Sequence, residues 1–229
     1  MRGYGNGWTL GKGANTYTNG TFTVDESANI YLLANTQVTA TYATNCLFVG
    51  NKCKGLVSRP ANAYPVTPFV NCTIADNCFD WMAVGFAPNY GVTVAEFVNC
   101  IITCNSNMAA TAALDFAVNN NIATNLSFVN CMIGSNRSSG WKPLHESDTI
   151  TNDVPKFDRS NAAHPYSLKL SSPAVAKGLV QPWMADAYDI RGAIDDGGKY
   201  RYLRLRDGKV DIGCYQCWLD PVGTTLMFR

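Results

Sequence analysis

FVNCTIADN, residues 69–77, is one of four related phrases in this 229-residue chain. The others are NCLFVGN (45–51), FVNCIITCN (97–105) and FVNCMIGSN (128–136). Each joins Asn to Cys, sets an apolar residue two places after the Cys and closes on a second Asn five places after it. The Asn-Cys pairs start 26, 28 and 31 residues apart. A period of this size marks a stacked array in which no single repeat buries its own apolar face.

Within a phrase the spacing is two: Val70, Cys72 and Ile74 alternate with Asn71, Thr73 and Ala75, and Val98, Cys100 and Ile102 do the same. That is strand periodicity. The stretches between phrases are rich in Asn, Thr, Gly and Pro, which resist helix and favour turns. The expectation is an all-β solenoid. Each copy supplies one short strand, and copies stack in register at about 4.8 Å as a parallel sheet. Cys46, Cys72, Cys100 and Cys131 form an inward column beside Phe48, Ile74, Ile102 and Ile133. Asn51, Asn77, Asn105 and Asn136 fall where the strand bends into a turn. Asn tolerates left-handed backbone and can bond its copies above and below, so these four read as a structural ladder rather than a catalytic set.

The composition is that of a folded chain: 47% hydrophobic, 15% charged, formal net charge +1. Near-neutrality argues against nucleic acid and against an anionic membrane, since both demand concentrated basic surface. Lys52, Lys54 and Arg59 are the one local basic cluster, and a solvated loop explains them. No apolar run reaches the roughly 20 residues that cross a bilayer, and Met1-Arg2-Gly3-Tyr4 lacks the apolar centre of a signal peptide. The expectation is a monomeric piece of a larger multidomain protein.

Of nine cysteines, four belong to the inward column as small buried side chains. Cys53, Cys78 and Cys104 lie near turns, where an oxidising setting would let some pair across repeats. Cys214 and Cys217 form a lone CxxC with no second pair or nearby His, which argues against zinc.

Residues 1–154 are expected to be repeats, clear over 45–136 and degenerate before about 40. Connecting loops fall at about 52–68, 78–96, 106–127 and 137–150. From about 155 the repeat stops, and Pro155, Pro165, Pro173 and Pro182 break the chain into short pieces. Residues 155–229 read as a cap over the open end of the stack, within the same domain, because an uncovered end exposes strand edges and core.

The FxNCTIxxN phrase resembles that of bacterial extracellular, pectate-lyase-like proteins built as right-handed parallel β-helices. Residues 172–178 (SPAVAKG), 189–192 (DIRG) and 210–215 (VDIGCY) resemble the closing segments of those proteins, with Cys214 and Gln216 where Ala and Glu are usual. The likeness spans roughly residues 45–217 and implies fold and secretion. It implies little about activity, because this architecture hosts lyases, hydrolases, adhesins and binding modules.

A hydrolase of this kind needs paired acids, yet the single Asp-Asp pair, Asp195-Asp196, precedes two glycines outside the repeats and reads as a turn. A lyase needs converging oxygen ligands for calcium and a basic residue. Asp76, Asp80, Glu96 and Asp115 are scattered at one per repeat or fewer, so no metal or cofactor is expected, with calcium near Asp76 and Asp80 as the one candidate. His145 and His164 lie in loops without a nucleophile beside them. Aromatic residues in polar segments carry more information: Tyr64, Trp81, Tyr90 and Trp141 between repeats, Trp183 and Tyr188 in the cap. An aromatic ring is a platform for the apolar face of a sugar. If the turns after Asn77 and Asn136 are alike, Trp81 and Trp141 share one edge about 9.6 Å apart, twice the strand spacing, with Asp80, Asn107, Met108 and Lys142 beside them. The expected function is non-catalytic binding of a plant cell-wall polysaccharide, xylan suiting the charge, as in the β-helical binding modules that accompany xylanases. The rival is a lyase or hydrolase using Asp76, Asp80 or Asp115 with Lys52 or Lys54. A structural stalk is the third reading.

Overall fold

The computed structural model describes residues 15–18, 21–22, 28–34, 41–58, 67–82, 95–107, 115–116, 126–137, 143, 145–192 and 202–217. The protein is all-β. Its strands form three parallel sheets, and among the described residues the single helical piece is the 3-10 turn Pro182–Ala185.

Each sheet takes every third strand. The first stacks β1 (Asn15–Thr18), β4 (Thr41–Thr44), β7 (Thr67–Val70), β10 (Ala95–Val98), β13 (Leu126–Val129) and β15 (His145–Ser147). The second stacks β2 (Thr21–Phe22), β5 (Leu47–Val49), β8 (Thr73–Ala75), β11 (Ile101–Thr103) and β14 (Met132–Ile133). The third stacks β3 (Ala28–Ala34), β6 (Lys52–Ser58), β9 (Cys78–Met82) and β12 (Ser106–Asn107). A repeat therefore supplies up to three strands rather than one. The expected loops at 52–68 and 78–96 open with β6 and β9, and His145 lies in β15 instead of a loop. The alternation Val70, Cys72, Ile74 spans a bend: Asn71 adopts φ 52°, which ends β7 before β8 begins.

Register follows the sequence repeat. Phe69 stands opposite Phe97, and Phe97 opposite Phe128. Their rings stack at 4.8 and 5.0 Å, while Phe116 meets Phe97 and Phe128 edge-on. Each stacked or edge-on pair contributes about 0.5–1.5 kcal/mol beyond the area it buries. The thiol column forms as expected. Cys46, Cys72, Cys100 and Cys131 are fully buried. The Sγ of Cys72 donates to Ala43 O, that of Cys100 to Phe69 O and that of Cys131 to Phe97 O. Burial holds the thiols of Cys72 and Cys100 well above their usual pKa, so they persist as neutral, inert side chains.

All nine cysteines are free thiols. The expected pairing across repeats fails on register: Cys78 stands opposite Lys52 and Ser106, Cys53 opposite Ala28 and Phe79, and Cys104 lies on an exposed bend.

The tail adds a contact that the repeat pattern does not foresee. Its described residues cover the flank of the second sheet. The face of that sheet opposite Phe48 and Ile74 carries Leu47, Val49, Ala75, Ile101 and Met132, and these share one core cluster with Phe157, Leu168, Ala174, Ile212, Cys214 and Tyr215. The physical reason is that both faces of these short strands are apolar or small, so the outer one must be covered as well. Gly213 lies so close that a side chain there would meet Ile101 and Thr73 within 3 Å. The Cys214 amide donates to Thr73 Oγ1 at 3.1 Å.

The DIRG and VDIGCYQ segments hold a buried charged cluster. Asp189 is paired with Arg191, whose guanidinium lies 3.6 Å from the centre of the Tyr202 ring. Asp211 accepts from the amides of Ala176 and Cys217, and Arg204 Nη2 donates to the carbonyls of Asp211 and Gly213. Gln216 Oε1 takes the Asp211 amide at 3.0 Å, so the Gln at the usual Glu position is part of this lattice.

Candidate functional site

Each of the four related phrases bends at its two Asn positions, and the two bends use Asn differently. At the first bend Asn45, Asn71, Asn99 and Asn130 take φ between 48° and 54°, the left-handed region that Asn enters more readily than other non-glycine residues. At the second bend that conformation belongs to Gly50, Asp76 and Cys104, one residue before the ladder Asn. The left-handed backbone expected of Asn51, Asn77, Asn105 and Asn136 thus falls on other residues. The ladder itself is present. Asn51 donates through N and Nδ2 to Asn77 Oδ1 at 3.0 and 2.7 Å, and Asn77 donates likewise to Asn105 Oδ1 at 3.1 and 2.9 Å.

The next step of the ladder is not Asn136. Asp115 takes it: its Oδ1 accepts from Asn105 N at 3.3 Å, and its Oδ2 accepts from Asn136 N and Nδ2, both at 3.1 Å. A carboxylate can accept from both sides, whereas an amide would present its NH2 to one of them. Room for it comes from Gly134, where an added Cβ would lie 2.1 Å from Asp115 Oδ2. Asn136 is exposed and Asn77 buried. The turn after Asn136 that would place Trp141 above Trp81 lies outside the described residues.

Beside this irregular step lies an open cleft of about 560 Å³. Thr103, Asp115, Ser135 and Asn136 line it from the repeats, and Asn152, Asp153 and Val154 from the junction with the tail. Its polar groups are hydroxyls, amides and carboxylates. Among the described residues no Lys or Arg lines it. Cys104 sits at its rim, and partial burial together with the charges of Asp76 and Asp115 raises its thiol pKa, the reverse of what activates a nucleophile.

Asp76, one repeat away on the same column of bends, is held by the tail: Arg159 pairs with it at 2.7 Å and the Tyr166 hydroxyl donates to it at 2.8 Å. The Arg159 guanidinium in turn lies 4.2 Å from the Tyr166 ring centre. Being exposed, the ion pair is worth only about 0–1 kcal/mol. Of the acids named from sequence, Asp76 and Asp115 are thus committed to structural partners. Glu96 is half-buried in β10 opposite Pro68 and Ser127. Among the described residues no three His, Cys, Asp or Glu converge on a point that could hold a metal ion. His164 packs 5.7 Å from the Tyr215 ring, and burial with the nearby Arg191 charge lowers its pKa. His145 is exposed.

Of the sugar-binding residues named from sequence, three fall on described strands. Trp81 and Asp80 lie in β9, and Asn107 is half-buried in β12 opposite Phe79. Tyr64, Tyr90, Trp141 and Lys142 fall outside the described residues. Asn152, Asp153 and Val154 went unnamed. The signal for them is modest: a polar pair just before Pro155, where the repeat gives way to the tail. Among the described residues no helix is long and apolar enough to cross a membrane. No protein family, curated protein or solved structure matches the chain.

Proposed function

We propose that the chain is a right-handed parallel β-helix of the bacterial, extracellular, pectate-lyase-like kind, and that it serves as a non-catalytic module binding a plant cell-wall polysaccharide. The fold reading draws support from three parallel sheets that each take every third strand, and from the tail segments that resemble those of such proteins. The preferred ligand is a neutral glycan, xylan first, and the module acts as a monomeric accessory of a larger secreted carbohydrate-degrading enzyme.

One observation carries the choice of binding over cleavage. The cleft is lined by groups that match sugar hydroxyls, and its deepest carboxylate, Asp115, already accepts from Asn105 and Asn136. A general acid must hold a proton at an oxygen free to face the substrate, which Asp115 in this geometry does not provide. The carboxylates of Asp115 and Asp153, without a cation among the described residues of the wall, also disfavour uronate polymers such as pectin and alginate.

Affinity electrophoresis and product assays on xylan, pectin and alginate test the reading. Retardation by xylan without new reducing ends or unsaturated products is expected. Release of either product overturns it in favour of an enzyme, and migration unaffected by any polysaccharide overturns it in favour of a stalk.

A further inference from the structure

The tail presents an aromatic surface that the cleft does not use. Two anchors fix the segment that carries it. Asn99 brackets Leu179, with Nδ2 donating to Leu179 O at 2.8 Å and Oδ1 accepting Leu179 N at 2.6 Å. Met184 is fully buried and accepts the Gln181 amide on its sulfur. Between the anchors Pro182 restricts the backbone at the start of the 3-10 turn. What remains outward is apolar: Leu179, Val180 and Trp183 are 43%, 44% and 42% exposed.

The Trp183 ring is also oriented. Its Nε1–H donates to Gln181 Oε1 at 2.6 Å, so the polar handle of the indole is already satisfied and its face is what it offers a ligand. Three exposed apolar side chains fall far short of the roughly 20–30 residues a side of a stable protein interface. They match the footprint of a single sugar ring. Lys177 and Asp186, both exposed, flank the segment with one charge of each sign, which favours a neutral partner.

We infer that Trp183 is a stacking platform for a pyranose ring of the same neutral polysaccharide, with the Gln181 amide at its edge for a sugar hydroxyl. This rests on the glycan-binding reading above and adds a contact site on the tail, apart from the cleft. The ring is held before the sugar arrives, so little conformational freedom is lost on stacking.

The test is affinity electrophoresis in soluble xylan with wild type, Trp183→Phe and Trp183→Ala. Trp183→Ala should weaken retention by about 3- to 10-fold, the size of one aromatic contact. Trp183→Phe, which keeps a ring, should stay within about 2-fold. Wild type and Trp183→Ala retained equally would overturn the platform while leaving the glycan reading intact; wild type that is not retained would overturn both. A measurement on unmutated protein runs in parallel, in case the substitution disturbs the fold. Oxidation of Trp183 by N-bromosuccinimide, read by peptide mass, should slow when xylo-oligosaccharide is present, and an unchanged rate would overturn the platform.

Discussion

Asn99 and Asn105 sit six positions apart in one repeat, carry the same side chain and do opposite work. Asn99 turns the chain in the left-handed conformation and directs its amide outward to grip the tail at Leu179. Asn105 keeps its amide inward, where it accepts from Asn77 and donates to the carbonyls of Ile74 and Asp115. The outer column is used unevenly. Asn45 donates to Tyr188 O and Asn130 to Lys177 O, while Asn71, fully buried, has no hydrogen-bond partner for its side-chain amide among the described residues. The difference teaches that a recurring residue sets a backbone shape once per repeat, while its side chain does whatever the neighbouring layer allows.

Cutting the inner column should have the largest effect. Asn77→Ala removes the acceptor of Asn51 and the donor to Phe48 O and Asn105 Oδ1, all in the interior. Stranding several buried groups should cost about 3 kcal/mol or more, read as a lower urea midpoint at unchanged slope. A loss below about 1 kcal/mol would mean that the ladder contributes little. Asp115→Asn is subtler, because shape is kept and one acceptor becomes a donor facing Asn105 or Asn136. A loss of about 2 kcal/mol is expected, and a neutral result would show that the polarity of that step is immaterial.

The thiol column beside the first bend offers a pH test. Cys72 and Cys100 are raised by burial, and burial pushes the Cys214 thiol up to about 12. A folded pKa above the unfolded value of about 8.5 means that the unfolded chain releases its proton first as pH rises. The contribution of these thiols is therefore intact below about pH 8 and declines from about pH 9 toward 12, by up to about 1.4 kcal/mol per pH unit for each thiol. Urea midpoints at about pH 8 and about pH 10 measure it, and Cys72→Ala should flatten the decline.

The smallest effects separate members of the outer column. Gly accepts the left-handed backbone without strain, so Asn→Gly removes the side chain alone. Asn99→Gly should lose about 1 kcal/mol and speed amide exchange near Leu179, whereas Asn71→Gly should stay within about 0.5 kcal/mol of wild type. Equal losses at both positions would refute the tail-gripping role.

Much of the inner architecture was legible in the repeat. Cys, a β-branched or aromatic residue and Asn at fixed spacing specify an inward column wherever copies stack in register, because period-two patterning assigns faces without reference to anything distant. Assigning one strand to a copy failed at Asn71, whose bend divides the alternation into two strands. Hydropathy sees the faces of a chain but not its corners. The cleft was less legible. Asp115 enters it from between repeats, and Asn152, Asp153 and Val154 reach it because the chain turns back there, so neither shows in local spacing.

By itself, then, the sequence determined an all-β chain whose recurring phrases pair in register, its column of buried thiols and its amide ladder, since each follows from residues that recur and must meet their own copies. Only the tertiary structure decided which Asn of each phrase bends the chain, that described parts of the tail lie on the flank of the second sheet, and that Asp115 completes the ladder. Those outcomes depend on contacts between segments 10 to 141 positions apart, such as Asp115 with Asn105 and Cys214 with Thr73, and such pairings are set by packing rather than by local pattern.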